Sequence, residues 1–182
     1  MERVEKYLIA IVPPPPIASE VTTLKEYFRD NYKSKASLNA PPHVTLHMPF
    51  EWKAEREQTL VDQLGAFSSK QQSFSIKLNG FNAFPPRVIF IDVEPNEKLM
   101  LLQKSLMKFC KVELNLFNSL YQQQPYHPHV TLAFRDLKKD QFEAGWNEFR
   151  DRKFGAQFEC DRISLLKHNG KVWLPLKDLP LI

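Results

Sequence analysis

Apolar residues along the chain recur with two periods, and the switches between them predict the elements. Lys6–Val12 is a nearly continuous apolar run and reads as a strand. Pro13-Pro14-Pro15-Pro16 stops it, because prolines cannot continue a sheet ladder; an extended loop is expected there. Ile17, Val21, Leu24 and Phe28 return at helical spacing, which predicts a helix over 17–33. Pro41-Pro42 marks entry to a strand over about 43–48. After Pro49, the spacing of Leu60, Leu64 and Phe67 predicts a helix over 53–68. Ser73–Asn79 then alternates, with Phe74, Ile76 and Leu78 on one face of a half-buried strand.

The second half repeats this order. Val88–Val93 reads as a central strand, and Asn96 can cap a helix carrying Leu99, Leu102, Leu106 and Phe109. Tyr121–Pro128 is rich in turn-forming and amide residues and reads as a loop before a strand at about 129–134. Asp140 and Glu143 offer a capping-box-like start to a helix with Phe142, Trp146 and Phe149. Phe154–Cys160, Ile163–Lys167 and Val172–Leu174 read as closing strands, with Asn169-Gly170 as a hairpin turn. Each half thus runs strand, helix, strand, helix, strand. The expected fold is α+β: a single bilobal domain over 1–182, with repeats of about 1–85 and 86–182. Each of the two pseudo-symmetric lobes would be a mostly antiparallel sheet with helices on its outer face and a cleft between them.

The same phrase falls at the same place in each half: His43-Val44-Thr45-Leu46 and His129-Val130-Thr131-Leu132. Side chains alternate across a strand, so His43 and Thr45 share one face while Val44 and Leu46 take the other. His129 and Thr131 are arranged likewise opposite Val130 and Leu132. A single such phrase is most often an ordinary strand. Two at matched places would bring two imidazoles and two hydroxyls to one cleft. Imidazole has an unperturbed pKa near 6.5, so one ring can take a proton while the other gives one. Threonine hydroxyls can hold the non-bridging oxygens of a phosphate. The set suits a displacement at phosphorus, and no acidic residue within either phrase points to a metal or other cofactor.

Composition narrows the setting. The chain has 182 residues, 43% hydrophobic and 12% aromatic, enough for a packed core. Its net charge of +4 fits an anionic ligand but decides little, and no Lys/Arg run resembles a nucleic-acid-binding arm. Cys110 and Cys160 belong to no CxxC pair and read as buried free thiols in a reducing compartment. The apolar run at Tyr7–Val12 is too short for a signal peptide, and no segment approaches membrane-spanning length. A cytoplasmic monomer without a membrane partner is expected.

These phrases resemble the signature of the 2H phosphoesterases: two His-x-Thr-x motifs, x being hydrophobic, one in each of two similar lobes. The family includes RNA 2′,3′-cyclic phosphodiesterases historically called 2′-5′ RNA ligases. The similarity extends from "KYLIAIV" to the last hairpin, and "GFNAFPPRVIFIDV" is similar to the family's segment before the central strand. The resemblance implies His43 as proton donor, His129 as proton acceptor, and Thr45 and Thr131 as phosphate ligands. It implies a metal-independent enzyme acting on a nucleotide or RNA end with a 2′,3′-cyclic phosphate, or on a 2′-5′ linkage. A binding module using the same cleft without turnover is the alternative. Many relatives carry Arg directly after "HVTLA"; here that place is Phe134, and Arg135 follows on the opposite face.

Further candidates surround the motifs. Arg87 opens the central strand and offers either a phosphate or ribose contact or a solvated strand end. By alternation His47 should share the cleft face with His43 and line its rim. His127 and His129, with His43 and His47, make a weaker case for a four-imidazole metal site. Phe84 and Tyr126 are candidates for stacking on a base, and His168 for an exposed hairpin residue.

Overall fold

The structure, a computed structural model, describes residues 3–117 and 125–182. In chain order the elements are β1 (Val4–Ile11), α1 (Pro15–Tyr32), β2 (Val44–Lys53), α2 (Glu57–Ser68), β3 (Phe74–Phe84) and β4 (Val88–Val93). They continue with α3 (Glu97–Glu113), β5 (His129–Ala133), α4 (Lys139–Phe149), β6 (Gly155–Cys160), β7 (Arg162–His168) and β8 (Trp173–Pro180). Short 3₁₀ turns occupy Ala36–Asn39 and Ala54–Arg56. Residues 121–124 of the expected loop lie outside the described residues.

The strands form one curled antiparallel sheet of eight in the order β6-β3-β4-β5-β2-β1-β7-β8. The two motif strands, β2 and β5, are therefore neighbours at its centre. β3 lies beside β4 and β7 beside β1, so the last strands of the two chain halves are exchanged across the sheet. Helices cover one face, where Ile9, Val44, Leu46, Ile89, Val130 and Leu132 are buried in the main core. Leu8, Ala10 and Leu166, with Val12 and Trp173, make a smaller cluster. Among the described residues, no helix is long and apolar enough to cross a membrane.

Several elements start or stop where local chemistry overrides the simple pattern. Pro15 and Pro16 form the first turn of α1 instead of an extended loop. Their fixed φ suits a helix start, where no intrahelical N–H bond is lost. β2 runs on through Pro49 to Lys53, past the expected end near 48. Tyr7 pairs with Phe50 and Ile9 with His47, so β2 has an extra residue beside Pro49, at a break in the ladder that tolerates proline. β3 likewise extends to Phe84 through an irregularity between Leu78 and Phe81, where Gly80 takes φ +71°. Asn96 caps α3 by accepting a bond from the Leu99 amide, 3.0 Å. Asp140 lies inside the first turn of α4, so the expected capping box does not form. Asn169 accepts bonds from the Lys171 and Val172 amides and builds the expected turn before β8.

Two features fix the frame around the motif strands. Gly145 lets α4 approach α1: a Cβ there would sit 3.2 Å from the Phe28 ring and 3.3 Å from Ile89. The connection after α1 bridges to β5. Ser37 Oγ donates to the Leu132 carbonyl at 2.6 Å, and Asp136 accepts from Ser34 Oγ and the Lys35 and Ala36 amides. Ser37→Ala removes the first of these bonds and should lower unfolding free energy by about 1 kcal/mol. In urea denaturation this appears as a lower midpoint with an unchanged slope; an unchanged midpoint would show that the bridge contributes nothing.

Candidate active site

The motif strands meet at one registered pair, Val44 with Val130, and both side chains are buried toward the helices. Strand alternation sends His43 and Thr45, and His129 and Thr131, to the opposite face. The antiparallel register sets His43 across from Thr131 and Thr45 across from His129. All four are half-buried, at the level of the sheet where a ligand could reach them.

Both rings are seated in the same way. His43 Nδ1 lies 2.7 Å from the Pro41 carbonyl, and His129 Nδ1 lies 2.7 Å from the His127 carbonyl. A carbonyl oxygen only accepts, so each Nδ1 must carry the proton. In the neutral ring this leaves Nε2 with a lone pair for chemistry. Phe90 packs against the His129 ring with centroids 4.7 Å apart, and Phe84 meets it edge-on at 5.3 Å. His127 Nε2 is 3.0 Å from Asp92 Oδ1, placing a carboxylate behind this half of the site.

Burial is the main force on both imidazoles. It pushes His43 down to about 4, helped by the charge of Lys25 and by His129, and opposed by the bond to Pro41. Burial also lowers His129, with His127 adding to the effect; its bond to the His127 carbonyl and the Asp92 charge act the other way. The free protein therefore holds two neutral rings at neutral pH. A bound anion would add to the carbonyl bonds in favouring a proton on either of them. Burial raises the Cys110 and Cys160 thiols to about 12, so neither is a ready nucleophile.

His47 is not on the cleft face. Ile9 pairs with His47 and the next residue, Ala10, with Thr45, so β2 carries a second extra residue here. Leu46 and His47 both turn toward the core, and His47 is 1% exposed. Its Nδ1 bonds the Met48 carbonyl, while Nε2 is buried without a partner. The four-imidazole arrangement is thereby broken. Among the described residues, no three His, Cys, Asp or Glu side chains are grouped to hold a metal.

The other candidates separate. Arg87 is exposed on the β3–β4 turn, which also carries Phe84 and a cis Pro85–Pro86 bond. Tyr126 is not an open stacking platform: its hydroxyl donates to the Thr45 carbonyl at 2.8 Å and ties the β5 approach to β2. Arg135, at φ +56°, lays its guanidinium over Phe134, 4.9 Å from the ring centroid. His168 packs edge-on against Trp173 at the last hairpin. Lys25 was not singled out by the sequence pattern, yet it lies in the buried stripe of α1 with Val21 and Phe28. A lysine at an apolar position of the helical repeat was the signal available.

Comparison with known proteins shows the family and the fold. The sequence pattern of the 2′-5′ RNA ligase superfamily matches residues 13–172. A putative phosphoesterase of Geobacillus kaustophilus is 28% identical over 166 residues, covering 88% of this chain and 87% of that protein. One of Geobacillus sp. strain WCH70 is 27% identical over 163 residues, with 88% and 87% covered. The crystal structure of E. coli LigT complexed with 3′-AMP superposes with TM-score 0.72 at 21% identity, covering 98% of this chain and 99% of that one. A crystal structure from Thermus thermophilus gives 0.67 at 20% identity, with 97% of each chain covered. The fold and the paired motif strands define a phosphoesterase of the 2H kind, and the chain belongs to the 2′-5′ RNA ligase superfamily.

The protonation state is directly measurable. In ¹⁵N NMR of the free protein at pH 7, His43 and His129 should both be neutral with the proton on Nδ1. His43 should take a second proton only near pH 4. Inorganic phosphate should move both midpoints upward, because an anion favours the imidazolium. An imidazolium at either position at pH 7 without a ligand would contradict the burial argument.

Proposed function

We propose that this protein hydrolyses a nucleotide or RNA 2′,3′-cyclic phosphate, or a 2′-5′ linkage, by acid-base catalysis with His43 and His129. The observation that carries the reading is the matched seating of two imidazoles beside two threonines on adjacent central strands. E. coli LigT, to which the chain is similar, has been crystallised with 3′-AMP and with phosphate, and a site for a nucleotide phosphate fits that likeness.

In this reading Thr45 and Thr131 hold the non-bridging oxygens. His129 Nε2 takes a proton from water as the water oxygen bonds to phosphorus. The phosphorus–ribose oxygen bond breaks on the opposite side, and His43 Nε2 gives its proton to the departing oxygen. The protons return through solvent. The surroundings distinguish two rings that the sequence leaves equivalent. Asp92 supports positive charge at His129, which favours it as acceptor. Lys25 opposes positive charge at His43, which makes its imidazolium the readier donor once the bound phosphate has loaded it.

The same reading takes the chain as one bilobal, monomeric domain of two repeats, about 1–85 and 86–182. Each repeat gives its closing strand to the other's side of the sheet, as β3 and β7 do. Arg87, on the β3–β4 turn, is assigned a secondary role in contacting the substrate.

Hydrolysis of nucleoside 2′,3′-cyclic phosphates and of 2′-5′ dinucleotides tests the proposal. His43→Ala and His129→Ala should each lower kcat by about 10²–10⁴-fold, and Thr45→Ala or Thr131→Ala by about 10²-fold. Activity should persist in EDTA. Hydrolysis surviving both histidine substitutions would end the mechanism, and ligand binding by wild type without product would replace the enzyme with a binding module.

A further inference from the structure

Lys25 is 2% exposed, in the third turn of α1. Its ammonium donates to the Ser37 carbonyl at 3.0 Å and to the Ala40 carbonyl at 3.1 Å. No carboxylate pairs with it among the described residues. Burial of a charge without a counter-charge is costly, and it pushes Lys25 down to about 8. A neutral side chain of similar shape would fill this place at less cost.

The two carbonyls it holds belong to the connection that leads into β2. Ser37 also bonds Leu132 in β5, and the residue after Ala40 is Pro41, whose carbonyl seats the His43 ring. One ammonium therefore fixes the path from α1 to both motif strands. It also lines a cavity of about 320 Å³ with Pro41, Pro42 and Trp173, immediately before His43. The charged or titratable groups that act on His43 are Lys25 from α1 and His129 from β5.

We propose that Lys25 is a positioning residue for the phosphate site: its buried ammonium fixes the turn that seats His43, and its uncompensated charge draws an anion to that ring. The inference rests on the reading of His43 as part of a phosphate site, and it adds a group that neither motif contains. The cost of burying the charge is offset when the anionic substrate arrives. Removing the charge makes a proton on His43 easier to hold in the free protein and the anion harder to hold.

Lys25→Met and Lys25→Gln test this, the glutamine keeping a hydrogen-bond donor while losing the charge. In each folded variant the NMR titration midpoint of His43 should move upward while that of His129 stays in place. Affinity for inorganic phosphate should fall by about tenfold, the scale of one partly screened charge pair. A purely structural lysine would leave the His43 midpoint unmoved, so an unchanged midpoint and unchanged phosphate affinity in a folded variant would overturn the proposal. If neither variant folds, the wild type decides: linkage is reciprocal, so the Lys25 Cε resonance must respond as His43 titrates. A Lys25 signal blind to that titration would overturn it equally. None of these readouts uses turnover. Intact coupling without hydrolysis sinks only the enzymatic reading, and hydrolysis without coupling sinks only the role of Lys25.

Discussion

The seam between β2 and β5 is the constraint on which the site depends. One residue pair, Val44 with Val130, registers across it, so the sheet is nearly parted at the place where the motifs meet. Side-chain bonds hold the parting to a fixed width. Ser37 Oγ reaches the Leu132 carbonyl from one side, and Tyr126 Oη reaches the Thr45 carbonyl from the other. Flanking strands anchor the seam, with β1 pairing β2 and β4 pairing β5 over longer runs. A fully laddered pair would be a closed surface; a separated pair would not keep two imidazoles in register. The short pairing gives a cleft whose two sides are still parts of one sheet.

From that seam the chemistry follows in order. Burial of Val44 and Val130 decides which face the histidines and threonines take. The carbonyls two residues before each histidine fix the Nδ1 proton and leave Nε2 for a ligand. Burial then keeps both rings neutral, and the groups behind them break the equivalence: Lys25 behind His43, and Asp92 with His127 behind His129. A symmetric pair of motifs thus acquires direction from residues outside the motifs.

Much of this was legible in the sequence because it rests on local patterns. The two His-Val-Thr-Leu phrases, the Asn96 cap and the Asn169-Gly170 turn each carry their own geometry, and each appears where expected. His47 departs from the alternation because alternation assumes an uninterrupted ladder. The extra residue in β2 shows only in the pairing with β1, a long-range contact. The passage of β2 through Pro49 has the same origin. Four prolines look like a break, whereas the last two are compatible with a first turn, so α1 starts at Pro15 inside the run. Strand exchange across the sheet lies beyond any local pattern. Lys25 stood in plain view at an apolar position of α1, but its importance depends on two carbonyls more than ten residues away.

The central claim is that the two motifs converge on one phosphate. A crystal structure of the protein with inorganic phosphate tests it most directly. A single anion should bond to Nε2 of both His43 and His129, with the hydroxyls of Thr45 and Thr131 on its remaining oxygens. An anion held by one strand alone, or bound elsewhere while the two Nε2 atoms face separate surroundings, would contradict it.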